Sequence, residues 1–199
     1  MAKKGYFAIG AEGISKPMNF GNLARSAYGF GASFVFTVDQ SKSIGRPESD
    51  TSASRDHLPW YSFDGAANMV LPDDCTLVGV ELTHDAVDLP SFRHPTRAAY
   101  VLGPEGGSLS PAMIERCAHV VKIPTSFCIN VAMAGAIVMY DRVSTVHSFA
   151  ERPVMPGGPT EPPREHLHGS PIFVGGKQFK WQEEWKTSPS RKTMPKNSG

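Results

Sequence analysis

Residues 101–110 read VLGPEGGSLS, a short apolar run that passes directly into a glycine-rich turn. A turn of this kind lets backbone amides and carbonyls approach a ligand closely. Its spacing is neither that of a dinucleotide-binding G-x-G-x-x-G sequence nor that of a P-loop. Taken alone, the stretch indicates either a ligand-binding loop or a tight turn between a strand and a helix.

Short β-type runs recur on both sides of this turn, and helical or loop patterns separate them. The runs are Tyr6–Ile9, Ser33–Val38, Thr76–Leu82, Ala98–Leu102 and Val120–Ile123. This alternation predicts an α/β fold with a mainly parallel sheet flanked by helices.

A first helix is predicted from Asn19 to about Phe30, just after Pro17, with Asn19 as its N-cap. Apolar side chains recur on one face of this helix. Asn19, Asn22 and Arg25 share the other face, which we expect to point away from the core.

A second helix is predicted from Asn130 to about His147. It is apolar nearly all round and contains several small residues: Ala132, Ala134, Gly135 and Ala136. Because small residues let backbones approach closely, we expect this helix to be either deeply buried or packed at a subunit interface.

Composition and length indicate one domain of ordinary size with an appendage. The net charge of the 199-residue chain is +1, which does not by itself indicate a nucleic-acid-binding protein. We expect a domain over residues 1–150, a Pro/Gly-rich linker over 151–171, and an aromatic and basic C-terminal extension, partly disordered, over 172–199. Any electrostatic footprint for RNA is better sought in the extension or across a dimer, because residues 151–199 are net basic and residues 1–150 are not.

The three cysteines lack the spacing of a metal site, and the seven histidines are scattered, so no metal is expected. The cysteines are typical of reduced thiols in a cytoplasmic protein. No signal-peptide pattern opens the sequence. The longest apolar run, Val131–Tyr140, is about half of what a membrane span needs, so no membrane association is expected.

Two segments outside the periodic elements carry candidate RNA-binding side chains. The polar stretch Gln40–Asp56 is predicted to be a mobile, substrate-gripping loop, in which Arg46 and Arg55 are the candidates. In the C-terminal extension, aromatic side chains alternate with Lys177 and Lys180. They either hold single-stranded RNA by stacking and phosphate contacts or cover an apolar patch on the domain or on a partner subunit.

The glycine-rich turn is one of three distinctive segments. Residues 16–27 read KPMNFGNLARSA and precede it, and residues 123–142 read IPTSFCINVAMAGAIVMYDR and follow it. In this order, over about residues 6–147, the three segments resemble the signature motifs of the SpoU (TrmH-like) branch of the SPOUT RNA 2′-O-ribose methyltransferases.

The resemblance implies an α/β-knot fold, in which the C-terminal part of the domain is tied into a deep trefoil knot, an exception to the rule against threaded chains. It also implies a homodimer formed through the knot region and the last helix. S-adenosylmethionine would lie in the knot. Matched positions assign its binding to Leu82, Gly103, Pro104, Gly106, Ile123, Pro124, Cys128 and Ile129.

The resemblance implies a catalytic set of Arg25, Asn19, Glu105 and Asn130, with Asn22 beside them toward the RNA. Arg25 matches the catalytic arginine of the family. Because an arginine pKa normally forbids general-base work, either the site depresses it severely or Arg25 positions the phosphate and ribose while another group accepts the proton. We favour positioning.

One position departs from the family pattern. Many relatives carry Ser before the Leu-Asn of the third segment, whereas this chain has Cys128 followed by Ile129. A thiol is a weaker hydrogen-bond donor than a hydroxyl, so we expect Cys128 to be a small buried residue.

The substrate that the resemblance implies is tRNA or rRNA, with tRNA preferred because no separate N-terminal RNA-binding domain precedes the motifs in this sequence. Two alternatives remain: a knotted RNA-binding protein without catalytic activity, and a base-methylating SPOUT enzyme.

Overall fold

The computed structural model describes residues 5–40 and 58–147. Within them lies one seven-stranded sheet, in which every pairing is parallel and the strand order is β3-β2-β1-β6-β4-β7-β5. The strands are β1 (Tyr6–Glu12), β2 (Phe34–Val38), β3 (Trp60–Phe63), β4 (Thr76–Val80), β5 (Val87–Asp88), β6 (Arg97–Leu102) and β7 (His119–Lys122). The predicted parallel α/β sheet is confirmed.

Helices cover both faces of the sheet. They are α1 (Pro17–Phe30), α2 (Pro111–Arg116) and α3 (Val131–Val146), with 3-10 turns at Ala66–Asn68 and Leu89–Ser91. Central strand β6 shows the two layers, because Tyr100 and Leu102 belong to the buried cluster under α1 and α3, whereas Ala99 and Val101 belong to the cluster on the α2 face. Burial on both faces explains why the central strands are continuous apolar runs.

Helix α1 begins earlier than predicted. Its N-cap is Lys16, with no side-chain hydrogen bond, and Pro17 occupies the first turn, where its missing N–H costs nothing. The prediction that Asn19 is the N-cap and points away from the core is therefore wrong: Asn19 lies inside the helix and is only 7% exposed. Asn22 and Arg25 are exposed, as predicted.

Helix α3 begins at Asn130, whose side-chain oxygen accepts hydrogen bonds from the N–H groups of Ala132 at 2.9 Å and Met133 at 3.4 Å. One face packs closely on α1: a Cβ atom on Gly135 would lie 2.3 Å from Leu23 Cδ1. The opposite face stays exposed and apolar through Met133, Ile137 and Tyr140. Helix α3 is thus only partly buried within one chain.

Several predictions lie outside the described residues. They concern the loop Gln40–Asp56, of which only Gln40 is described, the linker and the C-terminal extension. The candidate side chains Arg46, Arg55, Lys177 and Lys180 belong to these segments. In the described ranges, no helix is both long enough and apolar enough to cross a membrane.

Candidate active site

A cavity of about 480 Å³ opens at the carboxyl ends of β4, β6 and β7, next to the N-terminus of α3. This edge of a parallel sheet is where α/β proteins bind ligands, and the volume falls within the usual range for small-molecule sites. All three distinctive segments contribute to its lining, through Lys16 and Asn19, through Leu102–Gly107, and through Ile123 and Cys128–Val131.

Glu105 ties the glycine-rich turn to the start of α1. Its Oε2 atom accepts hydrogen bonds from the backbone N–H and the hydroxyl of Ser15, each at 3.1 Å. Its Oε1 atom accepts from the N–H of Lys16 at 3.1 Å and from Asn19 Nδ2 at 2.9 Å. Burial acts to raise the pKa of Glu105, but these hydrogen bonds outweigh it and hold the pKa below its ordinary value.

Asn19 connects Glu105 to the third segment. While its Nδ2 atom donates to Glu105, its Oδ1 atom accepts from Asn130 Nδ2 at 3.0 Å. The side-chain oxygen of Asn130 caps α3. Residues far apart in the sequence thus form one hydrogen-bonded relay, Glu105–Asn19–Asn130, which fixes the relative positions of the three segments beside the cavity.

The residues predicted to bind the methyl donor come together in the structure. Leu82, Gly103, Pro104, Gly106, Ile123, Cys128 and Ile129 all line the cavity, and Pro124 does not. Leu82 and Ile129 are 51% and 39% exposed, so the described residues leave large apolar surfaces open at this site. Such surfaces suit a planar ring packed between them.

The expectation that Cys128 is buried is wrong. The thiol is exposed and lines the cavity. It lies in the loop between β7 and α3, where every residue from Pro124 to Asn130 is exposed, so no core is available to cover it.

Arg25 and Asn22 line a different feature. They lie on an open groove of about 520 Å³ between α1 and α3, together with apolar side chains that include Met133, Ile137 and Tyr140. The groove and the cavity share Asn130, so they are neighbours. Arg25 is not among the residues that line the cavity in its own chain.

Sequence reasoning gave no individual role to several lining residues, of which Glu81 is the most informative. Its Oε1 atom accepts from the N–H of Leu82 at 2.9 Å, and its Oε2 atom accepts from the N–H of Leu109 at 2.8 Å. The signal was present, because a carboxylate at the carboxyl end of a parallel strand faces the ligand edge of the sheet. It was overlooked because Glu81 falls inside the run Thr76–Leu82 that was interpreted as strand.

Other lining residues without an individual assignment are Lys16, Val80, Leu102, Gly107, Lys122, Thr125, Val131 and Ala134. Among the described residues, His, Cys, Asp and Glu side chains form no group of three that could hold a metal ion.

The curated proteins and solved structures that are similar to this chain are named as methyltransferases. The chain is 24% identical over 148 residues to a putative TrmH family tRNA/rRNA methyltransferase of Staphylococcus aureus, an alignment that covers 70% of this chain and 59% of the relative. It is 27% identical over 137 residues to tRNA (guanosine(18)-2′-O)-methyltransferase TARBP1 of Mus musculus, covering 64% of this chain and 9% of that protein. The chain therefore spans less than two thirds of the length of these relatives.

The fold is also similar to that of the SpoU methyltransferase AviRb from Streptomyces viridochromogenes, solved in complex with its cofactor AdoMet. The TM-score is 0.63 at 22% identity, over 72% of this chain and 59% of AviRb. The profile of the SpoU rRNA Methylase family matches residues 6–140, which include the cavity lining and all three segments except the last two residues of the third. The chain belongs to the SpoU rRNA Methylase family.

Proposed function

We propose that this chain transfers a methyl group from S-adenosylmethionine to a ribose 2′-hydroxyl of tRNA or rRNA. The observation that carries the proposal is the convergence of three distant segments, joined by the Glu105–Asn19–Asn130 relay, on one cavity at the carboxyl edge of the sheet. S-adenosylmethionine is the bound cofactor of AviRb, which shares the fold. The RNA class and the ribose 2′-O position agree with the names of the curated relatives.

The cavity suits this donor chemically. Exposed Leu82 and Ile129 offer apolar surfaces for the adenine ring, and the backbone of Gly103–Gly107 offers polar groups for its edge. S-adenosylmethionine would supply a methyl group already activated on sulfur: the methyl carbon would bond to the ribose oxygen as its bond to sulfur breaks, S-adenosylhomocysteine would leave, and the hydroxyl proton would pass to a general base or to water.

The protein must therefore align the ribose hydroxyl with the donor and assist the loss of its proton. Arg25 lies on the groove beside the cavity rather than in it. In our proposal the active form is a homodimer, in which α1 and α3 of one chain pack on a second copy and Arg25 of one subunit positions the RNA at the cavity of the other. The exposed Met133, Ile137 and Tyr140 on this groove are the surface that a second copy would cover.

Of the remaining parts of the proposal, only the trefoil knot in the C-terminal part of the domain follows from family membership, because the family match ends at residue 140. We further propose a catalytic domain over residues 1–150, followed by a linker over 151–171 and an extension over 172–199 that either holds RNA or covers an apolar patch. The enzyme acts in the cytoplasm.

The test is a methyl-transfer assay with labelled S-adenosylmethionine, using total tRNA and rRNA separately as substrates. Label should appear in 2′-O-methylated nucleosides after nuclease digestion, and Arg25→Ala should abolish it. Arg93→Ala removes another exposed arginine, away from the cavity and groove, and should leave incorporation unchanged. Label on a nucleobase would instead identify a base methyltransferase. RNA binding without any incorporation would identify a non-catalytic RNA-binding protein.

A further inference from the structure

Glu81 lines the cavity and makes hydrogen bonds to three neighbouring segments. Its backbone N–H donates to the carbonyl of Val121 in β7 at 3.0 Å. Its carboxylate accepts one N–H from Leu82, at the end of β4, and another from Leu109, at the exit of the glycine-rich turn. Both carboxylate oxygens are therefore committed to backbone groups, one in Leu82 of the cavity lining and one in Leu109, just past the glycine-rich turn and outside the lining.

Gly103 makes this contact possible. A Cβ atom at position 103 would lie 3.1 Å from Glu81 Oε2 and 3.1 Å from the backbone nitrogen of Leu109, tighter than an ordinary van der Waals contact. The missing side chain lets the carboxylate reach past β6 to the far end of the turn. The close approach of the Glu81 carboxylate therefore requires a glycine at position 103, whether or not a ligand also approaches there.

A second carboxylate supports the same turn from outside the cavity. Glu12, 6% exposed at the end of β1, accepts from the N–H of Ser110 at 2.7 Å and from its hydroxyl at 2.6 Å. Ser110 in turn caps α2 through the N–H of Met113 at 3.1 Å. Glu12 and Glu81 hold adjacent residues of the turn, but only Glu81 lines the cavity.

We propose that Glu81 is a positioning residue for the methyl donor, which sets the separation between the Leu82 wall and the glycine-rich turn. This role rests on the proposed function, because it assumes that S-adenosylmethionine occupies the cavity. A side chain that fixes both walls pre-forms the slot for the adenosyl part of the donor and reduces the ordering that binding would otherwise require.

The experiment compares Glu81→Gln with Glu12→Gln in the full chain. Glutamine has one oxygen, so at position 81 its amide group would place a donor against one of the two backbone N–H groups. Losing one such charge-assisted hydrogen bond should weaken binding of S-adenosylmethionine about tenfold. S-adenosylhomocysteine, which shares the adenosyl part, should lose the same factor, whereas Glu12→Gln should change either dissociation constant less than about twofold.

Calorimetric titration with both ligands gives these constants, and thermal unfolding checks that each variant is folded. Steady-state kinetics provide a readout that a general loss of structure would not produce: in Glu81→Gln the KM for the donor should rise while kcat at saturating donor and RNA stays within about twofold. If Glu81→Gln does not fold, Glu81→Asp keeps the charge on a side chain too short to accept from both N–H groups and should show the same loss.

Unchanged affinity in the Glu81 variants, equal weakening in Glu12→Gln, or a loss confined to kcat would each overturn the positioning role. The proposed function is tested separately by the wild-type chain. Failure of the wild type to bind either ligand contradicts the methyltransferase assignment and the positioning role together, whereas wild-type binding with undiminished binding by Glu81→Gln contradicts the positioning role alone.

Discussion

Asn19 shows how one side chain can join segments that the sequence keeps more than 80 residues apart. An amide has a donor and an acceptor at its two ends, so it can link the Glu105 carboxylate to the Asn130 amide without leaving either unsatisfied. No other side chain of this size combines both functions in that way. This dual requirement, rather than helix capping, accounts for an asparagine that is buried in the first turn of α1.

Asn19→Asp tests this account by keeping the shape and replacing the donor with an acceptor. A carboxylate oxygen would then face Glu105 Oε1 at the position where Nδ2 now lies, 2.9 Å away. We expect the free energy of unfolding at pH 7.5 to fall by about 1–3 kcal/mol, the usual cost of a buried polar mismatch. Urea denaturation gives the value.

The matched control is Asn68→Asp, which makes the same change at an exposed position outside both the cavity and the groove. It should alter stability by less than about 0.5 kcal/mol. Equal effects of the two substitutions would show that the relay does not hold the segments together.

At the scale of elements, the C-terminal half of α3 is held to the sheet by a buried polar cluster. Arg142, 3% exposed, donates to the carbonyl groups of Pro95 at 2.6 Å and Thr96 at 2.9 Å and to the hydroxyl of Tyr100 at 3.2 Å. His94 lies between Tyr100 and Asp141: its Nδ1 is 2.6 Å from the Tyr100 hydroxyl, and its Nε2 is 2.8 Å from Asp141 Oδ2. The end of α3 is thus fixed to β6 and to the loop before it.

This cluster should make the stability of the fold depend on pH. Burial lowers the pKa of His94 below its ordinary value of 6.5, and neither the hydrogen bond nor the charge of Asp141 reverses that shift. The unfolded chain therefore binds a proton more readily than the folded one. The stabilisation is complete above pH 6.5 and is progressively lost as the pH falls below that value toward the folded-state pKa.

Urea denaturation between pH 7.5 and pH 5.5 measures the effect. The wild type should lose stability over this interval, and His94→Gln, which cannot titrate, should lose less. His84→Gln replaces an exposed histidine and should keep the wild-type slope. A slope that is the same in all three proteins would contradict the role assigned to His94.

Long or strongly apolar elements were predicted well, and short or partly exposed elements were missed. The central strands β1, β4 and β6 follow apolar runs, and both long helices were predicted to within a few residues of their observed ends. The edge strands β3 and β5 escaped prediction because the first has two exposed residues among four and the second is only two residues long. The short helix α2 was likewise not predicted.

The candidate site was predictable only through motif order. Hydrophobic periodicity does not predict that Glu105 contacts Asn19. It also groups Asn19 with Arg25 on the polar face of the first helix, because both side chains are polar. In the structure the two side chains open onto different features. Cys128 was misjudged because a small thiol is usually buried, and only the course of the loop before α3 shows that it is not.

At the scale of the whole molecule, the arrangement of the site argues for more than one chain. Arg25 lies on a groove that adjoins the cavity, and that groove is open and mainly apolar. Met133 and Tyr140 are 61% and 57% exposed along it, which leaves a row of exposed apolar side chains on one helix. Such a row is typical of an interaction surface.

Ile137→Lys places an ammonium in the middle of this row and tests whether a second copy covers it. An unpaired charge buried at an interface is costly, so the dimer dissociation constant should rise about a hundredfold or more. Analytical ultracentrifugation over a range of concentrations gives that constant. Val70→Lys is the control, because Val70 is 77% exposed but belongs to neither the groove nor the cavity.

If Arg25 of one subunit serves the cavity of the other, methyl transfer by Ile137→Lys should fall in proportion to the dimer fraction and recover as the protein concentration is raised. Val70→Lys should remain dimeric and active. A monomeric wild type with full activity would contradict the shared site, because Arg25 would then have to act at the cavity of its own chain, whose lining does not include it.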